Sequence, residues 1–400
     1  MHADPRLTEL TAHKHRLLVG TLDALFAQID LTDSQYETAK ERYEAVSAWI
    51  AEGESPFLKV ASLYAQGSIA VGTANKPIGG AEFDVDLVCH MPSVGAGSNP
   101  AAVKDLIGDR LNAHATYASM LEEKQRCWRL CYANEFHLDI TPSIPNPACG
   151  NGGELVPDSA LSAWKPTNPK GYAARFEQYA ALRPKLTLRE AAITAKRAEV
   201  EDFPEREMRK PPLKRIVQIL KRHRDVSFAA PGRSALAPIS IILTTLAARS
   251  YADCITRFIY ADTYELILDV VRRMPEFIVV DERNGRPFYF IENETTAGEN
   301  FADKWNLDPR LPRAFYGWHR DAIAMLEELV AIEGKDRLGQ ALQKSFGASQ
   351  EAVRGAMAPL TTAVGNARAA GSLLVAPSLG LVTSPAVGRV NVRPHTFFGR

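Results

Sequence analysis

Residues 83–87 read Phe-Asp-Val-Asp-Leu, a strict alternation of apolar and acidic side chains. An extended strand sorts such residues onto two faces, because successive side chains point to opposite sides of the sheet. Phe83, Val85 and Leu87 then face a core. Asp84 and Asp86 project together from the other face, about 7 Å apart at ~3.3–3.4 Å per residue. Two carboxylates this close raise one another's pKa unless a cation lies between them. A hard divalent ion suits the pair, magnesium above all; a solvated strand face is the alternative. On either reading the chain contains a sheet with one buried face and one acidic face.

The pattern returns at 136–140, with Phe136, Leu138 and Ile140 on one side and His137 and Asp139 on the other. If the two strands are neighbours, Asp139 joins Asp84 and Asp86. Three carboxylates on adjacent strands are what a two-metal phosphoryl-transfer centre needs, with two Mg²⁺ ions or Mn²⁺ in their place. Upstream, 66-QGSIAVGT-73 contains Gly67-Ser68. Glycine lets the backbone approach a phosphate closely, and the Ser68 hydroxyl and nearby N–H groups can bond its oxygens. His137 reads as a neighbour of this centre rather than a general base, since metal activation of a hydroxyl makes a base unnecessary.

Around this centre the organisation is α+β. Residues 33–53 read as a long helix opened at Thr32 and Asp33 and closed at Gly53. Strands are expected at 59–66 and 82–90, a helix within 99–121, and two strands within 124–141 joined near Ala133-Asn134. Pro142 to Gly171 is rich in Pro, Gly and Asn and reads as an irregular connector between lobes. Apolar residues then recur at helical spacing over 172–182, 187–199, 213–224, 238–250, 262–273, 314–334 and 336–366, with strand-like 276–280 and 287–291 between them. The expected domains are a core lobe over 1–165, a helical lobe over 166–370 and an extended tail over 371–400.

Charge and composition exclude several classes. The 47 basic residues balance 47 acidic ones, so no global attraction to nucleic acid or to an anionic membrane is implied. The N-terminal segment has no apolar signal core, and the apolar run from Pro238 to Ala248 is too short to span a bilayer. Five cysteines without a CxxC pair fit reduced thiols in the cytoplasm. A zinc site from Cys127 and Cys131 is the less favoured reading of those two.

Gly67-Ser68, Asp84-x-Asp86 and Asp139, in that order, resemble the signature of the polymerase-β-like nucleotidyltransferase superfamily. The helical lobe narrows the resemblance. In 213-LKRIVQILKRHRD-225 and 238-PISIILTTLAARSY-251, Lys221 and Ser240 match the Lys and Ser that hold the donor triphosphate in oligoadenylate synthetases and cGAS. Ile241 follows Ser240 where cGAS has a base-stacking aromatic. The entry YAQGSIAVGTANKP, the segment 291-IENETTAGENFADKWN-306 and the ending RPHTFFG are similar to bacterial cGAS/DncV-like nucleotidyltransferases (CD-NTases).

This resemblance implies a bilobal fold with a mixed sheet, a mainly helical second lobe and an active site in the cleft. It implies a monomeric enzyme that makes a cyclic di- or trinucleotide messenger from nucleoside triphosphates, purines expected, in antiphage (CBASS) signalling through a separate effector. Asp84 and Asp86 would bridge both ions, Asp139 would complete one, and Gly67, Ser68, Lys221 and Ser240 would hold donor phosphates. The basic face of 213–225 could instead be merely solvated, and Ser240 merely a helix cap. Asn300, Asp303 and Trp305 read as lobe-packing residues. The tail, ending Phe397-Phe398-Gly399-Arg400, is expected to serve a regulator such as a ubiquitin-transfer-like ligase. An RNA-tailing enzyme would share the metal centre but needs a basic track. A catalytically idle nucleotide-binding scaffold would not need all three carboxylates.

Overall fold

The computed structural model describes residues 5–80, 82–133, 136–158, 160–187 and 210–358, together with the strands Leu374–Ala376, Gly380–Val382 and Val390–Asn391. The expected helix at 187–199 and the terminal Phe397-Phe398-Gly399-Arg400 lie outside the described residues.

Seven strands form one mixed sheet: β1 (Ser62–Gln66), β2 (Phe83–His90), β3 (Leu121–Glu123), β4 (Trp128–Tyr132), β5 (Phe136–Pro145), β6 (Glu154–Pro157) and β7 (Trp164–Thr167). The spatial order is β1-β2-β5-β4-β3, with β6 and β7 continuing from the far end of β5. β2 and β5 run parallel, and every other pairing in this sheet is antiparallel. The segment expected as an irregular connector, Pro142 to Gly171, therefore carries sheet instead. Pro145 and Pro157 sit at strand ends, where a missing ladder donor is tolerated, Pro166 lies within a four-residue strand, and Pro142 lies inside β5 opposite Cys89.

One face of the sheet is apolar. Phe83, Val85 and Leu87 of β2 and Phe136, Leu138 and Ile140 of β5 are buried there. They pack with Val46 and Ile50 of the helix Asp33–Ala51 and Val103, Ile107 and Leu111 of the helix Pro100–Asn112. The first of these helices starts as its sequence suggests. The Thr32 side chain accepts from Gln35 N and Gln35 Oε1 accepts from Thr32 N, a capping box.

A second core belongs to the helices. The helix Pro5–Ile29 contributes Leu18, Leu22, Leu25 and Phe26, which pack with the helices Pro212–Ser227, Ser240–Arg257, Thr263–Arg273 and Arg310–Ala331. The chain thus begins in the helical layer before it builds the sheet. The stretch 336–366, expected as one helix, is broken after Phe346. Gly347 adopts a left-handed conformation, with φ 56°, and caps Lys335–Phe346; helix resumes over 350–358.

Candidate active site

The face of the sheet opposite the apolar core carries two cross-strand rows. In the first, Gln66 of β1 pairs Asp86 of β2, Asp86 pairs Asp139 of β5, and Asp139 pairs Arg129 of β4. In the second, Asp84 pairs His137 and His137 pairs Cys131. Directly paired residues share a face, so the parallel β2–β5 register brings Asp84, Asp86 and Asp139 together.

The electrostatics follow from that crowding. Asp86 is pushed up to about 6, first by burial and then by Asp139 and Asp84, against the pull of Arg129 and Lys221. Arg129 donates from Nε to Asp139 Oδ1 at 2.6 Å and from Nη2 to Asp139 Oδ2 at 2.7 Å. The same Nη2 reaches Asp84 Oδ1 at 3.1 Å. His137 Nε2 lies 2.6 Å from Glu82 Oε2, and its Nδ1 lies 3.4 Å from Asp84 Oδ1. Burial, followed by Asp139, pushes the Cys127 thiol up to about 12, which is not the behaviour of a ready thiolate ligand.

Gly67 turns the end of β1 into the four-residue helix Gly67–Ala70. Its φ of 63° is left-handed, and a Cβ there would collide with Asp86 Oδ2. Glycine is therefore required twice over, by backbone conformation and by the approach of the turn to the carboxylate.

The segment after that turn is tied to the helical layer at nearly every residue. Thr73 O accepts from Lys221 Nζ at 2.9 Å, Ala74 O from Gln218 Nε2 at 2.9 Å and Lys76 O from Arg222 Nη1 at 2.6 Å. Asn75 Nδ2 donates to Gln218 O at 3.0 Å. Lys76 donates from its backbone N to Ile29 O and from Nζ to Gln28 O. The alternative of a merely solvated basic face on Pro212–Ser227 does not hold: Leu213 through His223 are all buried. Lys214 and Arg215 meet Glu177 and Asp23, and Lys221 and Arg222 meet backbone carbonyls.

A cleft of about 850 Å³ lies between the layers. Its lining includes Gly67, Ser68, Asp84, Asp86, Lys221 and Ser240. Ser240 is the first residue of its helix; Ile239 occupies the cap position, so the hydroxyl is not a cap. It accepts instead from Arg224 Nη2 at 3.2 Å, while Arg224 Nη1 holds Pro238 O at 2.6 Å. Burial lowers the Lys221 pKa to about 8, with Arg224 adding to the effect. The packing assignments divide. Trp305 is buried; Asn300 bonds Ile291 N and Tyr289 O and also lines the cleft, as does Asp303, 3.5 Å from Lys165.

Sequence reasoning missed Arg129, Glu82 and Arg224. Arg129 had a usable signal, since in 128-WRLCY-132 Leu130 faces the core and Arg129 must face the carboxylates. Arg224 lies three residues after Lys221, one helical turn along the same side.

The acidic donors fit divalent ions. They are hard oxygen ligands on one face, and Asp86 carries the excess negative charge that a cation would relieve. Among the described residues, the group whose ligand atoms all lie within 4.8 Å of one another is His15, Asp262 and Glu265, not the three carboxylates of the sheet. Their polar atoms, however, build the cap of Thr263–Arg273: Asp262 Oδ1 accepts from Glu265 N and Asp262 Oδ2 meets His15 Nδ1.

A mixed sheet with an acidic face, a Gly-Ser turn beside it and a helical layer across a cleft define a polymerase-β-like nucleotidyltransferase. A family model described as the Second Messenger Oligonucleotide or Dinucleotide Synthetase domain matches residues 18–179. A c-di-GMP synthase of Roseivirga ehrenbergii is 30% identical over 392 residues, spanning 98% of this chain and 99% of that protein. The cyclic dinucleotide synthase CdnG of Bradyrhizobium diazoefficiens is 27% identical over 76% of this chain and 74% of its own length. The fold matches the solved structure of the B. diazoefficiens CD-NTase CdnG in complex with GTP, with a TM-score of 0.63 at 21% identity, over 86% of this chain and 99% of that one. It also matches CdnC of E. coli MS115-1 with ATP, with a TM-score of 0.55 at 14% identity, over 82% and 97%. The chain belongs to the CD-NTase family: it is a nucleotidyltransferase of the class that makes cyclic oligonucleotides. Among the described residues, no helix is long and apolar enough to cross a membrane.

Proposed function

We propose that this enzyme joins two nucleoside triphosphates, GTP in both positions, into a cyclic dinucleotide in the cytoplasm, and that the product activates a separate effector in antiphage signalling. Full-length similarity to a c-di-GMP synthase supports the choice of guanine, and CdnG was solved with GTP. The observation that carries the reading is the register Asp86↔Asp139, which puts three carboxylates on one sheet surface, with Asp84 and Asp86 lining the cleft beside Gly67-Ser68.

Asp84, Asp86 and Asp139 would hold two Mg²⁺ ions. When bound, these ions lower the pKa of the acceptor ribose hydroxyl and neutralise the triphosphate and the leaving pyrophosphate. The Gly67-Ser68 turn offers the donor phosphates a hydroxyl and a closely approaching backbone. Lys221 and Ser240, from the opposite layer, bind the β- and γ-phosphates and so orient the α-phosphorus for in-line attack. Arg224 fixes the Ser240 hydroxyl. The volume of about 850 Å³ leaves room for two nucleotides, as ring closure in one site requires. A regulator acting through the C-terminal tail is part of the same proposal. CdnC has been solved with HORMA, a related fold with a protein partner.

The test is incubation of purified protein with Mg²⁺ and labelled nucleoside triphosphates. A cyclic product that carries only guanine, identified by mass and nuclease mapping, is expected. A mixed product would refute the choice of GTP alone. Extension of an added RNA, or no turnover under any condition, would select the tailing enzyme or the idle scaffold.

A further inference from the structure

Arg129 bridges two of the three carboxylates, Asp139 and Asp84. Its fork takes both oxygens of Asp139, at 2.6 and 2.7 Å, and shares Nη2 with Asp84 at 3.1 Å. Its Nη1 lies 3.5 Å from His137 Nδ1. The placement is dictated by the sheet, since Arg129 on β4 is the cross-strand partner of Asp139 on β5. A divalent ion would bind the same oxygens at ~2.0–2.1 Å. A guanidinium and a dication only a few ångströms apart also repel each other. The two cations therefore compete for Asp139 and Asp84. Arg129 has somewhere to go, because its side chain is 22% exposed.

We propose that Arg129 is a positioning residue: the resident counter-cation of the carboxylate cluster, which holds Asp139 and Asp84 in place before substrate arrives and yields them to metal when a triphosphate offers the guanidinium a new partner. A phosphate can receive the same two-pronged fork that Asp139 now receives. Metal ions alone must displace Arg129 with nothing in exchange. Metal ions arriving with a nucleotide displace it onto phosphate oxygens. Arg129 thereby couples metal binding to nucleotide binding and keeps the site closed to free ions. This inference rests on the metal-centre reading of Asp84, Asp86 and Asp139.

The experiment is an electron-paramagnetic-resonance titration of the purified full chain with Mn²⁺, without nucleotide and then with a non-hydrolysable GTP analogue. R129Q should bind Mn²⁺ without nucleotide about tenfold or more tightly than the wild type. The tightening that the analogue produces should shrink to match. R129K, which keeps the charge but loses the fork, should fall between them, and it decides alone if R129Q does not fold. Equal or weaker Mn²⁺ affinity in the folded variant would overturn the role of Arg129 and leave the metal centre standing. Absence of Mn²⁺ binding in every protein, with and without analogue, would sink the metal centre itself.

Discussion

The two sides of the cleft present polar groups in opposite ways. On the sheet side, Phe83–Leu87 of β2 and Phe136–Ile140 of β5 alternate strictly, and Asp84, Asp86, His137 and Asp139 face away from the core. On the helical side, Pro212–Ser227 buries its apolar stripe and its basic residues alike. The sheet surface gathers three carboxylates beside a single arginine, Arg129, which bonds two of them. The helix gathers cations that are already engaged, by Glu177, Asp23 and the carbonyls of Thr73 and Lys76. On the proposed reading the sheet side would hold metal, and the helix side fixes geometry. Lys221, Arg224 and Asp225 reach from the helix to the cleft lining while holding structural bonds.

The hardest test of that contrast is Asp84→Asn with Asp86→Asn. Nucleotide transfer should fall by at least about three orders of magnitude, because no other carboxylates supply the donor set. Stability should hold or rise. The folded-state pKa of Asp86, about 6, exceeds the ordinary 3.8, so what this group contributes to wild-type stability is lost as pH rises through that window. Its replacement should raise the melting temperature near pH 7 by about 2 °C. A clear drop in melting temperature would mean that these aspartates hold the fold together.

Gly67→Ala comes next. A side chain at φ 63° costs about 1–2 kcal/mol, and it also pushes on Asp86. Transfer should slow by roughly 100-fold, with a measurable loss in melting temperature. An active Gly67→Ala enzyme would show that the turn does not need this approach to the carboxylate.

Lys221→Met should weaken triphosphate binding about 10- to 100-fold, the value of a charge-assisted contact. In the wild type, affinity should decline as pH rises past about 8, where the free ammonium loses its proton. Stability moves the other way. The unfolded chain, with its ordinary value near 10.5, binds more protons between about 8 and 10.5, so the contribution of Lys221 to stability rises across that range. Calorimetric affinities from pH 7 to 10 on both proteins check this. A flat profile in the wild type would leave Lys221 as a tie to Thr73 only.

The smallest effect on chemistry is expected from Gln218→Ala. The Gln218 side chain donates to Ala74 O and Asp30 and accepts from Arg215, while its main-chain carbonyl, which accepts from Asn75, is kept in the variant. Its loss leaves buried groups unpaired, at about 1–3 kcal/mol. The melting temperature should fall, while the turnover number changes only a few-fold and KM rises as the segment after Gly67-Ser68 loosens. A large fall in turnover with an intact melting temperature would place Gln218 in the chemistry and blur the contrast.

Legibility in the sequence followed the same division. Period-two alternation is local, and it identified β2, β5 and their acidic face before any contact was known. The capping box at Thr32 and Gln35 is equally local. The short strands Glu154–Pro157 and Trp164–Thr167 were unreadable because four residues rich in Pro carry little periodicity, and the end of β5 recruits them. Arg224 and Arg129 went unnoticed because an arginine's role depends on what it meets.

The sequence by itself determined which residues share a face: Asp84 with Asp86, His137 with Asp139, and the apolar stripe of Pro212–Ser227. Backbone geometry enforces those relations within a few residues. Only the tertiary structure decided that β2 and β5 lie side by side in the register Asp86↔Asp139, that Arg129 closes the row, and that the basic helix is buried against Thr73–Lys76. Those relations join residues from ten to well over a hundred positions apart. They are set by how the sheet and the helical layer bury apolar surface together, which no local pattern encodes.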